Sequence, residues 1–381
     1  MNWLTGGRFA QGEAKRLIAQ LADSTKRDIA ARELIKLGAD AIPALIDGLQ
    51  TQDPSLLLSF QHILARIPSA SPHLIKTLGS AHPILRGRAA EVFSISKDKT
   101  AISALLAALN GEYYTVRSRA ALALGDIGDA RVIPALFPLL KDKDDEVRIA
   151  ACTAIGKFRD SSTFDEITNV LLDDPEIEVR QSAAKALGET KHPAAIPFLM
   201  EALRDSYWWY EKEQAALVLL NAIEMMGSAV VEPLIEALDD REGMVRKFAA
   251  TVLGNLRDMR AIEELGMAVY DLHHEVSQAA AEALAKFGAP AVDVLRDALR
   301  HPEAAVREQA IIGLGKIQDA RVAPLMIDML NDPERIVQKQ AMRLLGSLGD
   351  ARAVSALQEI ASNRADREMS ALAKQMLELK K

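Results

Sequence analysis

The chain has 381 residues, 49% of them hydrophobic, 26% charged and only 4% aromatic, with a formal charge of −7. This is the composition of a folded soluble protein whose core is Ala, Leu, Ile and Val. Its interleaved charges argue against a polyanion partner, which needs Lys and Arg gathered on one face. The single cysteine, Cys152, excludes an internal disulfide framework, and no run approaches the roughly 18 apolar residues of a membrane span.

In chain order, residues 1–24 contain no basic stretch followed by an apolar run, so no secretory leader is read and a cytoplasmic protein is expected. Trp3, Phe9, Leu17, Ile18 and Leu21 are expected to close the first repeat as an N-terminal cap. Residues 25–100 repeat poorly. IPALIDGL (42–49) reads as a helix, but Pro68, Pro72 and Pro83 interrupt the pattern beyond it. Degenerate, loosely packed repeats are expected here, with a flexible joint as the alternative.

From residue 101 to 366 the sequence repeats itself. TVRSRAALALGDI (115–127), EVRIAACTAIGKF (146–158), EVRQSAAKALGET (178–190) and MVRKFAATVLGNL (244–256) are copies of one segment. EVSQAAAEALAKF (275–287), AVREQAIIGLGKI (305–317) and IVQKQAMRLLGSL (336–348) continue the series. The residue after the Val serves as an anchor: Arg86, Arg117, Arg148, Arg180, Lys212, Arg246, Ser277, Arg307 and Gln338, at intervals of 31, 31, 32, 32, 34, 31, 30 and 31. In the degenerate region Leu58 holds that place, 28 residues before Arg86. Three residues past the anchors from Arg117 onward stands Ala without exception, from Ala120 to Ala341, and seven past stands Leu or Ile. Val, Ala and the aliphatic residue draw one helical stripe, and the small Ala lets a neighbouring helix approach closely. Glycine usually follows (Gly125, Gly156, Gly188, Gly254, Gly315, Gly346) and is expected to end this helix, B, in a left-handed conformation. Between B helices lies a shorter apolar helix, A, as in VIPALFPLL (132–140) and VAPLMIDML (322–330), whose early prolines suit a first turn. Asp174-Pro175 and Asp332-Pro333 read as an N-cap and first-turn proline opening helix B. Residues 367–381, with Glu368, Lys374, Glu378, Lys380 and Lys381, read as a capping helix. The expectation is an all-α protein: an α-solenoid of about 11–12 antiparallel helix pairs over residues 1–381.

GDARVIPALFPLLKDKDDEVRIAACTAIGKF (128–158) and its copies resemble the HEAT repeat, in the short bacterial form called phycobilisome-lyase-like, over about residues 25–375. That resemblance implies the HEAT-like, armadillo-type fold, with B helices lining a concave face. It does not specify function, since the fold hosts scaffolds, lyases, hydroxylases and nucleic-acid enzymes. HEAT-like deoxyhypusine hydroxylases bind two irons through His-Glu pairs repeated on several helices. Here His-Glu occurs once, at His274-Glu275, and adjacent histidines face different sides of a helix, so no metal site is expected. No cofactor is expected either. Cys152 falls in a column otherwise filled by Ala, Ile and Met, and reads as packing. The Asp and Arg residues recurring at the turns (Asp142, Arg148; Asp174, Arg180; Asp332, Arg335) read as a structural ladder between repeats. The B-helix columns one and five past the anchor mix signs and include aliphatics, so a nucleic-acid groove is not expected.

All five tyrosines, Tyr113, Tyr114, Tyr207, Tyr210 and Tyr270, lie in turns from A to B, and Trp208 and Trp209 join them in SYWWYEK (206–212). Four consecutive aromatics on a turn suggest an anchor for a partner, because Trp and Tyr dominate binding hot spots. The alternative is local packing, with Trp209 or Tyr210 filling the volume lost where Glu211 replaces Val. The expectation is a non-catalytic scaffold that binds a protein or peptide through its concave face and through Tyr113, Tyr114, Tyr207, Trp208, Trp209, Tyr210, Tyr270 and His273. Neither nucleic acid nor membrane is expected as a partner. The resemblance implies the alternative of a phycobilin lyase-like protein acting on bilin attachment, and carries over no catalytic residue.

Overall fold

The computed structural model describes residues 3–205, 208, 213–348, 350–363 and 365–378. Among these, every regular element is a helix, and the chain clusters into two compact units. The first holds α1 (Trp3–Gln20), α2 (Arg27–Leu37), α3 (Ile42–Gly48), α4 (Pro54–Ala65), α5 (Ser71–Leu78), α6 (Pro83–Ser96), α7 (Ile102–Ala108) and α8 (Tyr114–Ile127). It continues through α9 (Ile133–Leu136), α10 (Asp145–Gly156), α11 (Phe164–Asp173) and α12 (Ile177–Thr190). The second holds α13 (Ile196–Arg204) and, beyond α14 (Glu213–Glu224), the helices α15 (Val231–Ala237), α16 (Gly243–Leu256), α17 (Ile262–Ala268) and α18 (His274–Phe287). Its remaining helices are α19 (Val292–Ala298), α20 (Ala304–Gly315), α21 (Val322–Asp328), α22 (Arg335–Ser347), α23 (Ala351–Ser362) and α24 (Arg367–Glu378). The stretch of α14 up to Leu219 clusters with the first unit and the rest with the second. Odd-numbered helices are A and even-numbered helices are B, so each unit is an α-solenoid of antiparallel pairs.

The stripe on helix B is the core. Val147, Ala151 and Ile155 of α10 are fully buried, as are Val245, Ala249 and Leu253 of α16. Through this stripe α8 packs on α6 and α10 in the first unit, and α18 packs on α16 and α20 in the second. The glycine column corrects the reading of those residues as helix ends. Gly125 and Gly254 sit inside their helices and Gly156 is the last residue of α10, still without a positive φ, and a Cβ added there would lie 2.7, 2.6 and 2.7 Å from Ala154, Ala283 and Ala186 of the next B helix. They are glycine because two backbones meet there. The left-handed residue comes later, at Gly128 (φ 74°) and Gly288 (φ 70°), or at Lys97, Arg159, Lys191 and Arg257, with φ of 52–55°. A basic residue suits the negative end of a helix dipole but carries left-handed strain of roughly 1–2 kcal/mol. Lys191→Gly is therefore expected to raise stability by about 0.5–1 kcal/mol after the unfolded-state entropy of glycine is subtracted, measured as a higher urea midpoint.

Several A helices begin with a single 3-10 turn closed by an Asp side chain. Asp98, Asp129, Asp160 and Asp258 accept from the backbone N–H two residues on. The two Asp-Pro turns are not the caps the sequence suggested, because α12 and α22 are preceded by Glu176 and Glu334 and begin two residues beyond the prolines. Asp53-Pro54 is a true cap, accepting from Ser55 and Leu56. The degenerate segment forms the helices α2 to α6. Leu58 is exposed, and Arg88 takes over the task of tying the turn after α3 by donating to the carbonyls of Leu49 and Thr51. At the ends, Leu17 on α1 and Leu21 just beyond it are buried, the side chains of Trp3 and Phe9 lie outside those described, and α24 buries Met369, Ala373 and Met376 while exposing Glu368 and Lys374.

Candidate interaction surface

The turns from A to B form an edge held by a ladder. In the first unit Arg117 grips Asp142 through Nε and Nη2, both at 2.8 Å, and Arg148 grips Asp174 at 2.7 and 3.0 Å. In the second, Arg246 grips Asp271 at 2.6 and 3.0 Å, and Arg307 grips Asp332 at 2.7 Å twice. Each arginine also donates Nη1 to the carbonyl six residues upstream, so it closes its own turn while binding the next. Each aspartate also accepts the backbone N–H two residues on. A planar guanidinium meeting a planar carboxylate through two parallel bonds fixes the distance and tilt of successive turns. Asp240 shows that the rung can be filled from elsewhere: the anchor before it, Lys212, lies outside the described residues, and Arg204 at the end of α13 donates to Asp240 at 2.8 Å.

Where the arginine is lost the carboxylate is lost too. Ser277 replaces the anchor and donates to the carbonyl of Val269 at 2.7 Å, while His301 stands where the next Asp would be. His301 accepts the Glu303 N–H at Nδ1, as the aspartates do, and stacks on Tyr270 with centroids 5.0 Å apart. At Gln338, which donates to the Asp332 carbonyl, the position 25 residues on is likewise neutral: Asn363, whose side chain accepts the Ala365 N–H. An unpaired buried charge is costlier than a missing ion pair, so both partners become neutral together.

The ladder has an electrostatic signature. Burial pushes the Asp142 and Asp271 carboxyls up, but the arginine hydrogen bonds, a backbone N–H and the arginine charge bring both net below their ordinary value. Hydrogen bonds to the aspartates likewise raise Arg117, Arg148 and Arg246. At the opposite turns, Asp129, Asp258 and Asp319 are held down to about 2 by Arg131, Arg260 and Arg321. A carboxyl whose folded pKa is depressed adds stability above its unfolded pKa, near about 4, and loses it as pH falls through the folded value. The urea midpoint is therefore expected to hold from neutral pH down to about 5 and to fall between about 4 and 2. Asp142→Asn is expected to make that fall shallower.

Tyr113 and Tyr114 open α8 and are 44% and 41% exposed, and the guanidinium of Arg86 lies 5.4 Å from the Tyr113 ring centroid. Tyr270 is half-buried and engaged with His301, so it belongs to the repair of the ladder. Trp208 is 0% exposed, which revises the expectation of a solvent-facing aromatic there: burying so large a ring outweighs leaving its indole Nε1 without an acceptor among the described residues. Tyr207, Trp209, Tyr210 and Glu211 lie outside the described residues. His273 is exposed ahead of α18, facing Gly243, at which a Cβ would meet its ring at 3.4 Å. Glu242, Met244, His274, Glu275 and Val276 complete an open cavity of about 450 Å³ around that pair. Glu275 is engaged by Lys247 at 2.8 Å, and among the described residues no group of three or more His, Cys, Asp and Glu converges. The Cys152 thiol is buried and pushed up to about 12 by desolvation, consistent with packing. On the B-helix face Ser118 is buried, whereas Lys185, Leu217, Gln278 and Arg343 are exposed. These sites stand apart along the chain. What sequence reasoning missed was the role of Arg86, Arg204 and His301; the offset of about 25 residues between anchor and Asp was the available signal for Arg86 and His301, whereas Arg204, 36 residues before Asp240, falls outside it.

Among the described residues no single helix is long and apolar enough to cross a membrane. Known proteins resemble the chain over parts of their length. A phycocyanobilin lyase subunit beta from Pseudanabaena tenuis is 33% identical over 27% of this chain and 35% of its own. A deoxyhypusine hydroxylase from Neurospora crassa is 33% identical over 29% of this chain and 32% of its own. The chain thus spans about a third of the length of these curated relatives. Among solved structures, the karyopherin Kap121p bound to Pho4p covers 96% of this chain and 49% of that one, with a TM-score of 0.59 and 13% identity. Kap121p bound to the SUMO protease Ulp1p gives 0.58 at 13% identity, with the same coverage. At these identities the likeness speaks for the fold. The HEAT-repeat family matches residues 71–147, 133–220, 231–305 and 292–378, and the chain is a member of the HEAT-repeat family.

Proposed function

We propose that this chain is a non-catalytic interaction scaffold that binds a protein or peptide partner on the B-helix face and the adjoining edge of A-to-B turns. The observation that carries the reading is the exposure of Tyr113 and Tyr114 on a turn where other repeats place Asp144 and Asp145 or Glu176 and Ile177. Aromatic rings on a rigid edge bury large area on binding with little entropy to lose. His273, beside its open cavity, is the second contact on the same kind of edge. The partner-bound karyopherin structures supply the precedent of a protein ligand on this fold. The test is a photo-crosslinking amino acid placed at position 114 or, as a control, at Ser103 on α7. A partner cross-linked in source-cell lysate from 114, absent from 103 and competed by unlabelled protein supports the reading. Equal labelling from both positions, or none, sinks it.

The identity with the phycocyanobilin lyase subunit favours a second reading, action on bilin attachment. No residue here is assigned to catalysis. Mixing the protein with phycocyanobilin and recording the visible spectrum separates the two: a saturable band shift supports the lyase-like reading, and an unchanged spectrum supports the scaffold.

A further inference from the structure

Each rung made by an anchor arginine joins it to a carboxylate 25 or 26 residues downstream, and in each the arginine Nε donates to Oδ2 at 2.6–2.8 Å. Arg86 stands one repeat before Arg117 and keeps half of this arrangement. Its Nη1 donates to the Ser80 carbonyl, six residues upstream, at 3.3 Å, the bond that Arg117 makes to Gly111 and Arg307 to His301. Twenty-five residues downstream of Arg86 is Gly111. The Gly111 N–H donates to the Ala108 carbonyl at 3.1 Å, the same turn bond that Asp142, Asp271 and Asp332 make at 3.2 Å. The backbone of the rung is therefore present, and what the sequence omits is the carboxylate.

The omission differs from the two neutral rungs, because here the arginine was kept. Arg86 Nε is buried and has no acceptor among the described residues. Glu112, next to the glycine, is exposed. The Tyr113 ring, 5.4 Å from the guanidinium, favours the charge through its face but offers the N–H no lone pair in the carboxylate's place. A charged fork with an unsatisfied buried donor, beside a half-exposed ring, has the makings of a recognition site.

We propose that Arg86, Gly111 and Tyr113 form a binding site for a carboxylate supplied by another molecule, which docks on Arg86 where Asp docks in the other rungs. A Cβ at Gly111 would lie 3.1 Å from the Ala108 carbonyl oxygen and 3.7 Å from Val116, tight to ordinary packing, so one short side chain can be placed on the glycine itself with little shift. A planar two-oxygen group matches the guanidinium fork, and Tyr113 and Tyr114 receive the apolar part that carries it. On the scaffold reading, on which only the identity of the carrier rests, the carboxylate is an Asp, a Glu or a chain terminus of the partner.

The test uses full-length protein labelled with 15N-arginine, with the Arg86 Nε–H resonance assigned through its loss in Arg86→Gln. The probes, at constant ionic strength, are N-acetylphenylalanine, its amide, acetate and inorganic phosphate. The expected result is a saturable shift of the Arg86 Nε–H with N-acetylphenylalanine, at least about tenfold weaker with the amide, and abolished in Gly111→Asp, which supplies the carboxylate internally. Acetate tighter than N-acetylphenylalanine would assign the site to free small carboxylates rather than to a partner's, overturning the role given to the tyrosines. Equal response to acid and amide, no response, or preference for phosphate overturns the proposal. The acid-to-amide comparison is made on the unaltered protein, so it stands even if Gly111→Asp fails to fold. A partner that cross-links from position 114 but binds Arg86→Gln equally well would leave the scaffold standing and remove the carboxylate site.

Discussion

Arg307→Gln is expected to lower stability by about 3–5 kcal/mol, and adding Asp332→Asn is expected to return more than half of that loss. Arg307 and Asp332 form the most buried rung, with side chains 7% and 3% exposed. Removing the guanidinium strands a carboxylate away from water, and that desolvation cost, rather than the lost attraction, dominates. Glutamine at the anchor can still tie its own turn, as Gln338 does by donating to the Asp332 carbonyl at 2.6 Å. With asparagine opposite, no charge is buried, and the sequence itself places Gln at the anchor and Asn 25 residues on at Gln338 and Asn363. The measurement is a double-mutant cycle by urea unfolding, with Lys316→Ala as a control. Lys316 pairs with Glu282 at 2.9 Å, but both side chains are about half exposed, so the control is expected to change stability by less than about 1 kcal/mol. A double variant no more stable than Arg307→Gln would show that the two ends of the rung are not coupled.

Gly254→Ala is expected to destabilise by about 1–3 kcal/mol, although helix propensity alone favours alanine by about 1 kcal/mol. The added Cβ would lie 2.6 Å from both Cα and Cβ of Ala283, so α16 and α18 must move apart along a stripe that is otherwise closely packed. Gly12→Ala, within α1 and with nothing inside 4 Å of the added carbon, isolates the propensity effect and is expected to gain about 0.5–1 kcal/mol. Thermal melts of both variants, and of Gly254→Ala combined with Ala283→Gly, decide the matter. A stabilised Gly254→Ala would mean that the two helices separate at no cost.

Much of this architecture was legible in the sequence because it is periodic. Columns such as Ala120 to Ala341 report a contact made again in every repeat, so one physical requirement is written many times. The Asp and Arg residues at the turns were legible as a ladder for the same reason, but not their partners. Asp174 and Asp332 read locally as helix caps, and only the guanidinium arriving from the previous repeat shows why they stand outside the helix. The glycines after Leu or Ile suggested a helix end, since a local pattern cannot distinguish a glycine chosen for its backbone angles from one chosen for having no Cβ.

The candidate surface was less legible, because it lies where the period fails. Aromatic composition singled out Tyr113, Tyr114, Trp208 and Tyr270 alike, yet Trp208 is buried, Tyr270 is spent on His301, and the tyrosines of α8 are exposed. By itself the sequence determined the helix pairs, their repeat length and the stripe that packs them, all consequences of local spacing and side-chain size. The tertiary structure decided which turn residues meet across a gap of about 25 positions, which glycines face a neighbouring backbone, and that the buried Arg86 Nε has no acceptor among the described residues. Those outcomes depend on distances between repeats, and such distances are set only when the helices stack.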